Sequence, residues 1–319
     1  MSRIAKLGGS SGARMKMIPR IVVSLPLLAV ICASKAICLA EEQQPPAAQL
    51  VRATVANEMA AANENGIKHM FRDRKKTPRG SMTRIYVETR EAMAGMTVAY
   101  DDKPLDSKQL QDEEGRLAGL VNNPDQLRRK QHEQKEDADR TLRIMKAMPD
   151  AFVFQYDGTA TGTSAIGREG VQLVRLKFHP SPGYRPPSHV EEVLLGMEGV
   201  ILIDPVEHRI AEIDGTLFQP VSFGWGILGR LDKGGHFLVD QADLGEHCWE
   251  LSRMSLSFNG KILLIKTLAY KSEEVFSDFR RVPNDTTFAQ GVKLIEEEVA
   301  KGQGSSETAK AENTSGKAN

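Results

Sequence analysis

The chain has 319 residues, of which 26% are charged, and its 42 Lys and Arg are balanced by 42 Asp and Glu. The lack of a net positive charge and of a basic stripe argues against a nucleic-acid-binding protein, because phosphate binding requires clustered Lys and Arg. The length is sufficient to bury a core, as one large domain or two small ones.

The first 40 residues have the pattern of a secretory signal peptide. They contain six basic residues and no acid, and the apolar run IVVSLPLLAVICA follows Arg20. Because a basic region, an apolar region and a small residue before the cut define such a peptide, we expect cleavage after Ala40 and a periplasmic protein. The apolar run is short for a membrane span and is interrupted by Pro26 and Lys35, so no stable membrane anchor is expected after cleavage.

Residues 1–40 also contain the alternative translation starts and two cysteines that a lipoprotein signal could modify. Met1, Met15 and Met17 are alternative starts, and the sequence leaves the choice open. Neither Cys32 nor Cys38 follows the Gly or Ala that a lipoprotein signal requires, so we expect no covalent lipid.

Cleavage would change the charge and the cysteine count. It would leave 36 basic and 42 acidic residues, a net charge of −6, and one cysteine, Cys248. A single thiol cannot form an internal disulfide, so the fold must depend on its core.

The mature chain begins with a helix and a strand meander. We expect residues 41–47 to be a disordered leader and 48–301 to be a single domain. LVRATVANEMAAANENG predicts a helix that ends at Gly66. The segments IKHMFRDRK, TRIYVETRE and GMTVAYDD alternate and contain β-branched or aromatic residues, which is typical of strands.

Residues 103–148 form a charged insertion that is nearly free of β-branched residues. We predict two helices separated at Asn123–Pro124. The charged middle of the second helix indicates a solvated face rather than a partner-binding coil, because no heptad seam is present.

Successive strands are predicted from Phe152 to Pro283, with a short helix near residues 189–196. Asn259–Gly260 is the strongest hairpin signal, and Asp204–Pro205 marks another turn. Asp285 is expected to cap a closing helix, with a disordered tail over 302–319. The predicted fold class is α+β: a strongly curved antiparallel sheet, or half-barrel, covered by helices and carrying the inserted charged helical pair.

The stretch GWGILGRLDKGG contains a G-x-G-x-x-G pattern at Gly224, Gly226 and Gly229. A nucleotide site requires a preceding strand and a helix that begins at the glycines. The residues before are a weak strand at best, and Gly234–Gly235 would interrupt any helix after them. We therefore expect an inter-strand connection without a nucleotide cofactor. Its apolar tip, a candidate partner surface, would consist of Trp225, Ile227 and Leu228.

Other chemical motifs are weak. His236, His247 and Cys248 form an incomplete ligand set, because consecutive residues on a strand point to opposite faces, and no metal is expected. GTSAIG is not the G-x-S-x-G of a serine nucleophile elbow. We expect no enzyme activity and no cofactor.

Apolar residues are in excess within the predicted strands, and this excess is the outstanding signal. Either they pack only on helices or they line a cavity for an apolar ligand. The cavity candidates are Ile213, Leu217, Phe237, Val239, Met254, Leu256, Phe258, Leu264, Leu268 and Tyr270.

The element order, together with MEGVILIDPVEHRIAEIDGTL, resembles the lipoprotein-carrier (Lol-type) superfamily. That resemblance implies a periplasmic half-barrel that binds an acyl chain or another apolar envelope ligand. RDRKK, LDKGGHF and SDFRRVP also resemble segments of uncharacterised secreted bacterial proteins, a resemblance that brings no known activity with it. The charged insertion is longer than the carrier pattern requires. The alternative function is a non-catalytic interaction or sensor module that binds other envelope proteins on the same scaffold.

Overall fold

The computed structural model describes residues 45–63, 66–223, 228–262 and 266–315. Its helices in these ranges are α1 (Ala47–Asn63), α2 (Ser107–Asn122), α3 (Pro124–Ala151) and α4 (Phe288–Ser315), with a 3₁₀ helix at Glu191–Gly196. Its strands are β1 (Lys68–Thr77), β2 (Gly80–Val87), β3 (Ala94–Tyr100), β4 (Lys103–Pro104), β5 (Phe152–Thr161), β6 (Gln172–Pro180), β7 (Met197–Asp204), β8 (Arg209–Leu217), β9 (Val221–Phe223), β10 (Gly229–Leu231), β11 (His236–Asp243), β12 (Trp249–Ile262) and β13 (Lys266–Val282).

The strands form one large antiparallel sheet. Its order is β4-β3-β2-β1-β13-β12-β11-β8-β7-β6-β5, and β10 joins β9 to the side of β12. The order ends at β4 and β5, so the curved sheet remains open. The predicted α+β class with a curved antiparallel sheet is therefore confirmed.

Two apolar clusters attach the helices to opposite ends of the sheet. At the β5–β8 end, α1 and the C-terminal part of α3 bury residues that include Val51, Ala151, Leu176 and Ile201. At the β1–β3 end, α2 and α4 bury the second cluster. That cluster includes Ile85, Met96, Leu117, Phe288, Val292 and Ile295.

The charged insertion forms the predicted helical pair, with a break at Asn123. Asp106 and Gln109 form a capping box at the start of α2. The Asn123 side chain caps α3 by accepting hydrogen bonds from the N–H groups of Asp125 and Gln126. These bonds satisfy N–H groups that have no partner within a helix. No helix in the described ranges has the length and apolar character needed to cross a membrane.

The closing helix differs from the prediction at both ends. Thr287, rather than Asp285, caps it: the Thr287 hydroxyl accepts from the Gln290 N–H, and the Gln290 side chain accepts from the Thr287 N–H. This reciprocal pair is a capping box, which needs a three-residue spacing to Gln or Glu. The backbone of α4 continues to Ser315, beyond residue 302 where the tail was expected to begin.

The predicted Asn259–Gly260 hairpin turn is wrong. Both residues lie inside β12 and pair with Ala269 and Leu268 of β13. On its other edge, Gly260 pairs with Leu231 of β10. A Cβ atom at Gly260 would lie 2.1 Å from the Arg230 carbonyl oxygen. The glycine is therefore explained by a close approach of two backbones, which local sequence does not reveal.

We expect Gly260→Ala to lower the free energy of unfolding by about 1–3 kcal/mol, because β10 must move away from β12 to admit the methyl group. Urea unfolding followed by circular dichroism measures this change. Gly115→Ala is the matched control: Gly115 lies inside α2 and has open space around it, so alanine should stabilise the helix. A Gly260→Ala protein as stable as the wild type would contradict the prediction.

Candidate functional site

The register places the described cavity candidates on one face of the sheet. Side chains two positions apart on a strand share a face, and directly paired residues on neighbouring strands point the same way. The cross-strand pairs are Ile213 with Val239, Val239 with Met254, Phe237 with Leu256, Phe258 with Tyr270, and Gly260 with Leu268. Leu217 shares this face because it lies two residues beyond Gly215, the partner of Phe237. Leu264 lies outside the described residues.

We call these nine side chains the apolar patch: Ile213, Leu217, Phe237, Val239, Met254, Leu256, Phe258, Leu268 and Tyr270. Leu217 is fully buried, Tyr270 is 39% exposed, and the others are half-buried. The main contacts of α1, α3 and the 3₁₀ helix with the sheet are to β5, β6, β8 and β9. The part of the patch on β11 and β12 is thus only half covered.

A polar cluster borders the apolar patch on β13 and β1. Lys75 Nζ lies 2.7 Å from Glu274 Oε1 and donates a 3.2 Å hydrogen bond to the Tyr270 hydroxyl. The Ser272 hydroxyl also donates to the Tyr270 hydroxyl, and Ser272 pairs with Leu256 of the patch. Burial, with the nearby Glu274 carboxylate, raises the pKa of Asp73 to about 6. The apolar surface therefore has one polar edge.

A second cluster, which the sequence did not predict, surrounds the buried His69 imidazole. Cys248 Sγ lies 3.8 Å from His69 Nε2, and Glu250 Oε1 lies 3.2 Å from His69 Nδ1. Glu88 Oε2 is 3.8 Å from the same Nδ1 and accepts a 2.8 Å hydrogen bond from the His69 backbone N–H. Phe279 packs edge-on against the imidazole. We call His69, Glu88, Cys248 and Glu250 the histidine cluster.

Burial dominates the electrostatics of the histidine cluster. It lowers the pKa of His69, with a smaller effect from Arg281. Burial and the Glu88 carboxylate raise the pKa of Glu250 to about 7. Burial and Glu250 raise the pKa of Cys248 to about 11, so its thiol stays protonated at neutral pH. A thiol nucleophile requires the opposite shift, toward the thiolate. The cluster is therefore poorly suited to covalent catalysis.

The fold assembles this cluster from distant segments. His69 lies on β1 and Glu250 on β12, and β13 separates these two strands in the sheet. The sequence did contain one signal, because Cys248 and Glu250 have the two-residue spacing that places side chains on one face of a strand, although β12 itself begins one residue later, at Trp249. His236, His247 and Cys248, which were judged an incomplete ligand set from the sequence, have separate partners: His236 is hydrogen-bonded to Asp214 at 2.8 Å and His247 to Glu207 at 2.8 Å.

Of the glycine pattern, Gly229 is the first residue of β10, and Gly224 and Gly226 lie outside the described residues. β9 and β10 run antiparallel, with Gly229 opposite Phe223. A strand rather than a helix thus begins at Gly229, and a dinucleotide site requires a helix that begins at the last glycine. Of the predicted loop surface, Leu228 is 49% exposed. Trp225 and Ile227 lie outside the described residues.

Comparison with solved structures finds distant neighbours of this chain. No protein-family model matches the sequence, and no curated protein matches it. The crystal structure of a DUF1329 family protein from Desulfovibrio piger superposes with a TM-score of 0.27 and 8% identity, covering 75% of this chain and 94% of that chain.

Proposed function

We propose that the protein is a periplasmic carrier that binds an acyl chain, or another apolar ligand of the envelope, on the apolar patch. The observation that carries the proposal is the convergence of nine apolar side chains from four strands on one half-covered sheet face. A patch of this kind in a soluble compartment needs a ligand or a partner to cover it.

The boundary of the patch favours a ligand with one polar end. Tyr270 belongs to the patch and its hydroxyl accepts hydrogen bonds from Lys75 and Ser272. Binding sites for small apolar molecules combine an apolar lining with a few polar groups that fix orientation. A fatty acid, with its alkyl chain on β11 and β12 and its carboxylate toward Lys75, matches this distribution of side chains.

The periplasmic location is part of the proposal. It is supported by the basic, apolar and small-residue pattern of residues 1–40. N-terminal sequencing of the exported protein tests it: the expected mature terminus is near Glu41, without an attached lipid.

We expect delipidated wild-type protein to bind a fluorescent fatty-acid probe saturably and Leu256→Asn to lose most of this binding. Leu256 is half-buried, so the asparagine amide keeps partial contact with water and the fold should survive. The loss follows from replacing apolar contact area with a group that must give up its hydration when the ligand binds.

Val275→Asn is the matched control. Val275 is 42% exposed on β13 and pairs with Arg253, on the opposite sheet face from the patch. Probe affinity should be unchanged in this variant. Equal losses in both variants would show that the probe reports general stability rather than the patch. Folded wild-type protein without saturable binding would instead favour the alternative, an interaction module that binds another envelope protein.

A further inference from the structure

We propose that His69, Cys248 and Glu250 form a binding site for a divalent transition metal, with zinc as the best match. One imidazole nitrogen, the Cys248 sulfur and one Glu250 oxygen all lie within 4.8 Å of one another. Zinc bonds of about 2.0–2.3 Å hold tetrahedral ligand atoms roughly 3.3–3.8 Å apart. Because Cys248 lies beside Nε2 and Glu250 beside Nδ1, one imidazole nitrogen would bind the ion, and the Cys248 or Glu250 side chain must rotate toward that nitrogen.

The histidine has an unused ligand atom that points into this cluster. His69 is 3% exposed, and its Nδ1 has no hydrogen-bond partner within the described part of the protein. Glu250 Oε1 is near Nδ1 but does not form a hydrogen bond with it. A buried polar atom without a partner costs about 1–3 kcal/mol, whereas coordination of a metal ion would satisfy it.

The charge of the cluster also favours a cation. The carboxylates of Glu88 and Glu250 both approach the imidazole. The arginines beside the cluster are engaged elsewhere, since Arg209 pairs with Glu58 and Arg281 with Glu246. A divalent ion would offset the repulsion between the two carboxylates.

The ligand types select the metal. Binding of the ion would release the proton of the Cys248 thiol, because a coordinating thiol is deprotonated. The resulting thiolate and the imidazole together favour zinc over the hard cations magnesium and calcium, which prefer oxygen ligands. Three protein ligands leave one tetrahedral position open. Glu88 would act from outside the ligand set, because its carboxylate holds the backbone N–H of His69 and so positions the imidazole.

Titration of the exported protein, made without a polyhistidine tag, with Co²⁺ tests the site directly, because Cys248 is its single cysteine after cleavage at Ala40. We expect the wild type to bind one equivalent, with the visible bands of tetrahedral cobalt and a thiolate-to-cobalt charge-transfer band in the near ultraviolet. Zinc should abolish both signals by displacement. Cys248→Ser should lose the charge-transfer band, and Glu250→Gln should weaken binding at least about tenfold.

His247→Ala is the matched control, because His247 is adjacent to Cys248 but is exposed and bonded to Glu207. It should bind cobalt as the wild type does. Circular dichroism checks that each variant is folded, and Glu250→Gln decides the test if Cys248→Ser does not fold. The proposal is overturned if the wild type binds no cobalt, or if a folded Cys248→Ser keeps the charge-transfer band. Fatty-acid binding plays no part in this readout, so either proposal can fail alone.

Discussion

Replacing Asp204 by alanine is expected to lower the free energy of unfolding by about 3 kcal/mol. Asp204 ends β7 and is fully buried. Its two oxygens accept hydrogen bonds from the Arg168 guanidinium at 2.6 and 2.9 Å and from the N–H groups of Val206 and Glu207. Alanine would leave these donors without their acceptor. Urea unfolding at pH 7 measures the loss.

The pH dependence of this effect has a defined sign. Burial alone would raise the pKa of Asp204, but the hydrogen bonds from Arg168, Glu207 and Val206 lower it below its ordinary value. In the unfolded chain an aspartate has a pKa of about 3.9. The stabilisation by ionised Asp204 is therefore fully present above about pH 4. It is lost as the pH falls through the lower folded-state pKa. The difference between wild type and variant should shrink on that acid side.

Asp150→Ala is the control for Asp204. Asp150 pairs with Arg52, but both side chains are more than half exposed. Exposed ion pairs contribute about 0–1 kcal/mol, so this variant should be close to wild type in stability. Similar losses at the two positions would contradict the role assigned to the buried Asp204 interactions.

We expect Asp73→Asn to raise the free energy of unfolding by about 2–3 kcal/mol at pH 8. Asp73 is 5% exposed, and its Oδ1 lacks a hydrogen-bond partner among the described residues. Burial and Glu274 raise its folded-state pKa to about 6, so its ionisation opposes folding. Asparagine has nearly the same shape and removes the charge.

The sign again follows from the shift. When folding raises the pKa of a carboxyl group, ionisation of that group lowers the free energy of unfolding. The advantage of Asp73→Asn should therefore be small near pH 4, grow between pH 4 and 6, and stay constant above that range. Asp112→Asn, on the exposed surface of α2, is the control and should show no such growth. A flat difference between Asp73→Asn and wild type would contradict the prediction.

Features that depend on neighbouring residues in the chain were predicted from the sequence. The break between α2 and α3 was predicted because an asparagine followed by proline both ends one helix and begins the next. The Asp204–Pro205 turn was predicted for a similar reason, and β7 does end at Asp204. The face shared by Met254, Leu256 and Phe258 followed from strand alternation alone.

Features that depend on residues far away in the sequence could not be predicted. Gly260 looks like a turn residue in sequence, and only the neighbouring β10 explains it. The histidine cluster was missed because Cys248 and His69 are 179 residues apart. Their proximity depends on the pairing of β1 with β13, which no local pattern specifies.

The position of β13 has a consequence for how the protein folds. Among the described strands, the pairing path from β1 to β12 passes only through β13, the last strand in the chain. The sheet therefore becomes continuous only when β1 pairs with β13, a pairing that joins residues as far apart in the chain as Lys68 and Val282. Such long-range pairing slows folding, because chain entropy is lost before the contacts form. Until β13 is synthesised, β1 keeps an unpaired edge, and a nascent chain in this state exposes that edge to chaperones and to pairing with other chains.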